Sequence, residues 1–324
     1  MAERVLITGG AGLIGQATAR ALVGGGHEVV VLDLPEQVAR AGAMLPSGVE
    51  VVAGTILDRA AVKRAAAGCT AVVHQAARLG VRRTEADRLG CLRVNIEGTA
   101  EVLDAAVAAG VRRVVFASSS EVYGEPLRNP IEEGDVTQGK TVYAVSKLAG
   151  EELCWGFAQK CGVEAVVLRY FNCYGAGQVS QFVVPRWVWE VAHGRRPIVN
   201  GDGSQVRSYT YVDDTAAATA AAVTVVGAAG RTLNISNGSE PVSLLELAAR
   251  VIAAAGKTGE VEPDVRADFA GTDRAKEREI DQRFCHGELA QEVLGWKPTV
   301  SLEAGLGRMV EAMREGRLFE DWAA

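Results

Sequence analysis

Short apolar runs rich in Val, Ile and Leu alternate with alanine-rich amphipathic stretches along the first half of the chain. The apolar runs predict β-strands at Arg4–Thr8, Glu28–Asp33, Glu50–Ala53, Ala71–His74, Arg112–Ser118 and Ala165–Arg169. The stretches between them predict helices, among them Asn95–Ala109 and Tyr143–Lys160. Near-continuous apolar strands separated by helices are typical of a parallel sheet covered on both faces. We therefore expect a doubly wound, Rossmann-like α/β fold.

The regular alternation of apolar runs and amphipathic stretches ends after Arg169. We expect one domain over residues 1–169, with returning segments at 200–240, to form the sheet. Residues 170–199 and 241–324 have mainly helical patterns and predict a smaller second lobe made of non-contiguous pieces. Such a lobe would close over the carboxyl ends of the strands, where open α/β sheets bind ligands.

Composition excludes several classes of function. The formal net charge of -6 is spread along the chain, which argues against a nucleic-acid surface, since that needs a clustered basic face. The six cysteines lack CxxC spacing and are expected to be reduced thiols, and the four scattered histidines suggest no metal site.

Targeting and membrane signals are also missing from the pattern. The chain enters a strand at once, without the regions of a signal peptide, and we expect a cytoplasmic protein. The longest uncharged apolar run, Ala216–Gly230, is too short to span a bilayer and predicts a buried helix.

The first strand runs into a glycine-rich turn and then a helix. Gly10, Gly12 and Gly15 satisfy G-x-G-x-x-G, and Gly9 with Gly12 and Gly15 satisfies the wider G-x-x-G-x-x-G. Without side chains the backbone can approach a pyrophosphate closely, at the positive end of the helix. A ligand-free tight turn would explain the glycines but not the strand and helix on either side.

Asp33 ends the second strand, at the distance from the glycines that dinucleotide-binding folds use for a ribose-binding carboxylate. A carboxylate there accepts hydrogen bonds from the adenosine ribose and repels a 2′-phosphate. The position therefore favours NAD over NADP. A helix N-cap at the strand end is an alternative role, but it does not account for the spacing.

Tyr143 and Lys147 stand at i and i+4 on one face of a predicted helix. Nearby cations, the lysine and an oxidised nicotinamide, would favour the phenolate and make it a base near neutral pH. Taken alone, the pair describes a solvated helix face equally well. Its position after a strand ending in Ser118-Ser119-Ser120 favours chemistry, because a serine hydroxyl there can bridge the tyrosine and a substrate hydroxyl.

Together these residues resemble the extended short-chain dehydrogenase/reductases, in particular the NAD-dependent sugar-nucleotide epimerases and dehydratases. The resemblance covers nearly the whole chain, and its motifs fall in order. They are TGGAGLIG at Thr8–Gly15, HQAA at His74–Ala77, VNIEGT at Val94–Thr99, SSSEVYG at Ser118–Gly124, YAVSK at Tyr143–Lys147, LRYFNCYG at Leu168–Gly175, GDGSQVRSYTYVDD at Gly201–Asp214 and LGWKP at Leu294–Pro298.

The resemblance implies roles for individual residues. Ser119, Tyr143 and Lys147 would form the catalytic triad, and Asn172 and Arg207 would contact a nucleotide diphosphate, for which an amide and a guanidinium are suited. The residues implied to contact NAD are Gly9, Gly12, Leu13, Ile14, Gly15, Asp33, Thr55, Ile56, Ala76, Asn95 and Lys147. Asp213 and Asp214 are expected to cap the following helix.

Two segments depart from the family pattern. Thr55 stands where the family often has an aspartate near the adenine amine, and the segment after Arg266 lacks the arginine of the usual R-P-G-D pattern. Arg266, Arg274 and Arg278 are candidates to replace that arginine.

The resemblance also implies the chemistry. Tyr143 would take the proton of a sugar 4-hydroxyl as C4 is oxidised, and a UDP-sugar 4-epimerase is our first expectation. Glu121 could instead act at C5, as in a nucleotide-sugar 4,6-dehydratase or a UDP-glucuronate decarboxylase, or it could be a structural acceptor. A non-catalytic NAD sensor is a further class, disfavoured because such proteins often lose the tyrosine–lysine pair. The helices Asn95–Ala109 and Tyr143–Lys160 resemble the pair through which family members dimerise, so we expect a homodimer.

Overall fold

The apolar runs form the centre of the molecule. The computed structural model describes residues 2–267 and 279–317. Within these ranges the strands are β1 (Arg4–Thr8), β2 (Glu28–Asp33), β3 (Glu50–Ala53), β4 (Ala71–His74), β5 (Arg113–Ser119), β6 (Glu164–Tyr170), β7 (Cys173–Tyr174), β8 (Ile198–Asn200), β9 (Val206–Arg207), β10 (Thr210–Tyr211), β11 (Arg231–Ile235), β12 (Val242–Ser243), β13 (Asp264–Arg266) and β14 (Gln282–Arg283).

Seven of these strands form one parallel sheet in the order β11-β6-β5-β4-β1-β2-β3. The chain runs outward from β1 through β2 to β3 and then returns to β4 on the other side of β1, with Val5 paired to both Val29 and Ala71. Such a reversal opens a crevice at the carboxyl ends of the two diverging strands. The predicted doubly wound fold is confirmed.

Helices lie on both faces of this sheet and in the second half of the chain. They are α1 (Leu13–Gly24), α2 (Pro35–Ala41), α3 (Arg59–Ala66), α4 (Val81–Ala86), α5 (Arg88–Leu92), α6 (Gly98–Ala108), α7 (Val142–Cys161), α8 (Val183–Ala192), α9 (Val212–Thr224), α10 (Leu244–Ala254), α11 (Glu288–Leu294) and α12 (Leu302–Arg314). Successive strand residues point to opposite faces. Val5 and Ile7 accordingly pack with α1 and α9, whereas Leu6 packs with α3, α6 and α7.

All six predicted strands are present, with small shifts at the ends of β5 and β6. The predicted helix Ala216–Gly230 is wrong in its bounds, because α9 ends at Thr224 and β11 begins at Arg231. Alanine and valine continue from α9 through the turn at Val226–Ala228, so hydrophobicity alone could not mark the end of the helix. The predicted helix from Asn95 begins instead as a π-helical turn over Arg93–Glu97.

The second half of the chain adds a separate apolar cluster beside the sheet. Helices α8, α10 and α12 pack around the buried Trp187, Leu247 and Leu306. Strands of two or three residues join this part of the chain, in the orders β12-β9-β14 and β13-β8, and the sequence did not predict them. The domain boundaries drawn from the sequence stay a prediction.

The structure also bears on the expected dimer surface, the cysteines, membrane spans and metal sites. Trp155 and Phe157 on α7 are half-buried against the core cluster of α3 and α6, and the homodimer stays a prediction. All six cysteines are free. Among the described helices, none is both long and apolar enough to cross a bilayer. Within residues 2–267 and 279–317, no group of three or more His, Cys, Asp or Glu side chains is placed to hold a metal ion.

Helix α7 lies unusually close to strand β5. A Cβ at Gly150 would overlap the Phe116 ring, with Cε2 only 3.0 Å away. Glycine at this position therefore sets the distance between the helix and the strand. Gly156, six positions further along the same helix, is exposed, and a methyl group added there would have no neighbour within 4 Å.

We expect Gly150→Ala to destabilise the protein by about 1–3 kcal/mol, because the added methyl overpacks a dense interior. Gly156→Ala is the matched control and should stabilise by about 0.5–1 kcal/mol, because alanine has the higher helix propensity. Urea unfolding of both variants measures the difference. Equal effects of the two substitutions would contradict the close packing of α7 on β5.

Candidate active site

The glycine-rich turn after β1 has the geometry of a phosphate-binding loop. Gly9 has a φ of 72°, and a Cβ there would lie 2.7 Å from the Ala76 amide nitrogen. A Cβ on Gly15 would overlap the Gly9 carbonyl oxygen. Helix α1 begins after Gly12, and no side chain caps its first turn, where Leu13 and Ile14 are half-buried. The backbone amides at this helix start can therefore receive a pyrophosphate.

Asp33 lies at the carboxyl end of β2, beside this turn. Its Oδ2 accepts a hydrogen bond from the Ala11 amide at 2.9 Å, and its Oδ1 accepts one from the Leu34 amide at 2.8 Å. Burial raises the pKa of Asp33, and the two amide donors oppose that rise. The carboxylate is half-buried and adjoins the turn, as a group that binds an adenosine ribose requires.

The other residues implied to hold the cofactor lie at the ends of neighbouring strands. Thr55 is half-buried and its hydroxyl accepts from the Leu57 amide at 3.3 Å, while Ile56 is buried against Gly98. The Ala76 amide donates to the Thr8 hydroxyl at 3.3 Å. Asn95 is 2% exposed and bonds to both backbone groups of Arg78, so its amide serves structure within the site. The residues present fit a dinucleotide.

Ser119, Tyr143 and Lys147 meet where β5 ends against the first turns of α7. The Ser119 hydroxyl lies near enough to the Tyr143 phenol to lower its pKa, and it accepts a hydrogen bond from the Glu121 amide at 3.2 Å. The Lys147 Nζ donates to the Ala117 carbonyl at 2.7 Å and lies 5.8 Å from the centre of the Tyr143 ring. The predicted triad is therefore brought together in space.

The charges of this triad are set mainly by burial. Burial lowers the pKa of Lys147 to about 8, so the amine keeps its proton at neutral pH. Burial and the negative charge of Glu121 raise the pKa of the Tyr143 phenol, while Ser119 and Arg283 oppose the rise. The Lys147 ammonium is directed to the Ala117 carbonyl. That this lysine and an oxidised nicotinamide together favour the phenolate stays a prediction.

The neighbouring serines have different roles. Ser118 is 3% exposed and donates to Glu151, which in turn binds Arg169 in a buried ion pair at 2.7 Å. Because strand residues alternate between faces, Ser118 turns away from Tyr143 and Ser119 turns toward it. Ser120 is buried at the start of the turn that follows β5.

Glu121 faces the site. Its Oε2 accepts a hydrogen bond from the Thr141 hydroxyl at 3.3 Å, and that hydroxyl also caps helix α7 by accepting from the Ala144 amide at 3.1 Å. The carboxylate lies close enough to raise the pKa of Tyr143. Glu121 is thus both a structural acceptor and a half-buried acid beside the phenol.

Asn172 and Arg207 come together through the backbone of the second half of the chain. Asn172 has a φ of 32° and its Nδ2 donates to the Ser208 carbonyl at 2.9 Å. The Arg207 guanidinium donates to the carbonyls of Val206 at 2.8 Å and Ile280 at 2.6 Å. Both side chains are half-buried.

The prediction that Asp213 and Asp214 cap helix α9 is wrong. The residue that precedes helix α9 is Tyr211, so Asp213 and Asp214 lie inside its first turn and do not cap it. Asp214 instead accepts from the amides of Thr299 and Val300, both at 3.0 Å, and holds the loop before α12.

Of the three arginines considered as replacements for the family's arginine, Arg266 is exposed and paired with Asp264 at 3.0 Å. Arg274 and Arg278 lie outside the described residues.

Arg283 is a site residue that the sequence interpretation missed. It is 9% exposed, lies on β14 in register with Arg207 on β9, and lowers the pKa of Tyr143 by its positive charge. The Asn129 side chain bonds to the backbone on both sides of it, at the Gln282 carbonyl (3.3 Å) and the Phe284 amide (3.4 Å). Its neighbours are distant in sequence, so no local pattern could have marked it.

The fold and the meeting of these groups at one sheet edge define a short-chain dehydrogenase/reductase. Residues 5–236 match the NAD dependent epimerase/dehydratase family model. The chain therefore belongs to this family, and NAD is its cofactor.

Relatives with different activities are about equally similar. A UDP-N-acetyl-alpha-D-glucosaminuronate decarboxylase of Bacillus cytotoxicus is 32% identical over 97% of this chain and 99% of its own. The UDP-glucose 4-epimerase of Homo sapiens is 33% identical over 96% of this chain and 95% of its own. The NAD complex of the UDP-glucose 4-epimerase of Thermus thermophilus superimposes with a TM-score of 0.82 and 31% identity, covering 96% of this chain and 99% of that one.

We expect Asp33→Ser to shift cofactor preference toward NADP by at least about tenfold, roughly 1.4 kcal/mol, because the repulsion of a 2′-phosphate is removed. Calorimetric titration with NAD and NADP measures the two affinities. Glu36→Gln is the control, since it removes a nearby exposed carboxylate that makes no bond to the glycine turn. An unchanged ratio of affinities in Asp33→Ser would contradict the ribose-binding role.

Proposed function

We propose that the protein is an NAD-dependent sugar-nucleotide 4-epimerase with a UDP-sugar as substrate. The observation that carries the proposal is the cluster of Ser119, Tyr143 and Lys147 between β5 and α7. These three groups supply what reversible oxidation of a secondary alcohol needs from the protein: a proton acceptor, a hydrogen-bond bridge and a fixed cation. Epimerisation at C4 requires no additional catalytic group.

Each side chain has a defined task in this proposal. The Tyr143 phenol oxygen takes the proton of the sugar 4-hydroxyl, and the Ser119 hydroxyl, which lies near that phenol, holds the same sugar oxygen. The Lys147 ammonium, fixed on the Ala117 carbonyl, orients the cofactor ribose and favours charge on the phenol oxygen during proton transfer. NAD held at the glycine-rich turn would supply the hydride acceptor for oxidation at C4 and the hydride donor for reduction from the opposite face.

The diphosphate of the substrate is assigned to Arg207 and Asn172. A guanidinium and an amide are strong donors to phosphate oxygens, and both side chains come from the segment that borders the crevice. Arg207 and Arg283 are paired in register on adjacent strands, so two cations face the same side of this small sheet. That concentration of positive charge supports an anionic substrate in a protein whose net charge is negative.

A second candidate is a UDP-uronate decarboxylase, and Glu121 and Arg283 favour it. The charges of both groups act on the Tyr143 phenol: Glu121 raises its pKa and Arg283 lowers it. In a uronate the C6 carboxyl carbon is two bonds from C4, so a cation whose charge acts on the Tyr143 phenol is a candidate to bind it. A simple hexose offers Arg283 no anionic partner at this position.

The decarboxylation would follow the same oxidation. A ketone at C4 makes the C6 carboxylate a β-keto acid, so the C5–C6 bond breaks, carbon dioxide leaves and the electron pair enters the C4–C5 enolate. Glu121 then delivers a proton to C5, and the C4 ketone is reduced again. With a hexose instead, the same carboxylate at C5 would permit loss of water from C6, the 4,6-dehydratase outcome.

We expect Tyr143→Phe to lower kcat by about 10²–10⁴-fold with unchanged NAD affinity, because only the proton acceptor is lost. The assay incubates UDP-glucose, UDP-glucuronate, UDP-N-acetylglucosamine, GDP-mannose and dTDP-glucose in deuterated water and follows products by mass and NMR. An unchanged mass with inversion at C4 supports epimerisation, whereas loss of water or carbon dioxide assigns one of the other reactions. Tyr174→Phe, which removes a phenol remote from the triad, is the control. An active Tyr143→Phe enzyme would refute the proposed base.

We expect Arg283→Gln to lower kcat/KM for UDP-glucuronate by at least about tenfold more than it lowers kcat/KM for UDP-glucose, if a uronate is the substrate. Arg283→Lys should recover part of the loss because it keeps the charge but not the forked geometry. Equal effects of Arg283→Gln on both sugars would remove the carboxylate-binding role and leave the epimerase proposal in place.

A further inference from the structure

A buried chain of hydrogen-bonded polar side chains connects the glycine-rich turn after β1 with helix α7. It consists of Thr8 at the end of β1, His74 at the end of β4, Thr99 on α6, Asn95 in the π-helical turn and Ser146 on α7, and each of them is at most 2% exposed. The reaction proposed above uses none of Thr8, His74, Thr99 and Ser146 directly. Burying five polar side chains together is costly unless every donor and acceptor is matched.

The direction of each hydrogen bond follows from the number of protons available. The Thr99 hydroxyl has one proton and donates it to the Asn95 carbonyl at 2.6 Å. Toward the His74 Nε2, 2.9 Å away, Thr99 can therefore only accept, so Nε2 carries a proton. The Nδ1 then accepts from the Thr8 hydroxyl at 2.6 Å, and Thr8 accepts in turn from the Ala76 amide.

His74 is neutral in this arrangement. Burial and the positive charge of Lys147 lower the pKa of His74 to about 3. A second proton on Nδ1 would oppose the donor bond from Thr8. One tautomer and one charge state thus satisfy all the partners of the ring.

The chain continues from Asn95 to the catalytic tyrosine. The Asn95 Nδ2 donates to the Ser146 hydroxyl at 2.9 Å, and Ser146 donates to the Tyr143 carbonyl at 2.7 Å. Asn95 lies in a π-helical turn, a local irregularity of the helix that is frequent at functional sites. Thr99 donates to the backbone carbonyl of Asn95 in this turn, and His74 donates to Thr99.

We propose that His74 is a positioning residue which, as the neutral Nε2–H tautomer, fixes the Asn95 turn to strand β1 and thereby sets Tyr143 relative to the glycine-rich loop. It touches neither substrate nor cofactor. Its effect passes through Thr99, Asn95 and Ser146 to the first turn of α7. Because the glycine loop and Tyr143 hold the two reacting partners, a small change in their separation lowers the rate more than it lowers binding. The catalytic consequence rests on the proposed function, whereas the tautomer does not.

Thr99→Val tests the connection with little change of shape. It removes the hydroxyl that bonds to the Asn95 carbonyl and the His74 Nε2, and we expect kcat to fall by about 10- to 100-fold with KM for the sugar nucleotide unchanged. Thr99→Ser restores the hydroxyl and should recover kcat to within about threefold of the original protein.

Thr219 provides the matched control. It is also a fully buried helical threonine that bonds to the carbonyl four residues earlier, Thr215 at 2.8 Å, and to an aromatic side chain, Tyr170, also at 2.8 Å. Thr219→Val should lose stability to a similar degree but keep kcat, when rates are normalised to the NAD-loaded folded protein. If Thr99→Val and Thr219→Val have the same kcat after normalisation, His74 and Thr99 are merely structural and the proposal is wrong.

The tautomer can be observed without any turnover. In protein labelled with ¹⁵N on histidine, one ring should show a protonated Nε2 and an unprotonated Nδ1 throughout about pH 5–8, the range in which exposed histidines titrate. In Thr99→Val the same ring should lose this fixed tautomer. A protonated Nδ1 on the buried ring, or titration of all four histidines in that range, would overturn the proposal even if the substrate were not the one proposed.

Discussion

The close contact between helix α7 and strand β5 determines where the chemistry of this protein can occur. Lys147 donates to the Ala117 carbonyl at 2.7 Å, and the Phe116 ring packs directly against the helix backbone at Gly150. These two contacts place Tyr143 beside the end of β5, where Ser119 lies near its phenol. A side chain larger than hydrogen at position 150 would separate the two elements, so the candidate triad depends on a glycine that has no chemistry of its own.

Burial, more than the pairing of charges, sets the protonation states around this contact. It lowers the pKa of Lys147 to about 8 and of His74 to about 3, and it raises that of Tyr143. The negative charge of Glu121 raises the pKa of the Tyr143 phenol further, and the positive charge of Arg283 lowers it. Interactions of this kind are stronger in a low-dielectric interior than in water, so a few charges decide which proton moves.

The local patterns predicted most of the sheet and failed where an apolar run continues past the end of a helix. The six strands that alternate with helices were found from their apolar runs. Strand β11 was missed because the run that includes Ala216–Gly230 is apolar through helix α9 and into the following turn. Asp213 and Asp214 were expected to cap α9, but the helix already begins at Val212, and Asp214 holds Thr299 and Val300 instead.

The sequence by itself determined the family, the cofactor and the identity of the candidate triad, because those depend on spacings within short segments such as Gly9–Gly15 and Tyr143–Lys147. Only the tertiary structure decided which serine faces the phenol, that Glu121 lies beside it and that Arg283 approaches from the second half of the chain. It also decided the single tautomer of His74, which depends on Thr8 and Thr99 together. The physical reason is that these arrangements join residues far apart in sequence, and only the packed fold brings their atoms within bonding distance.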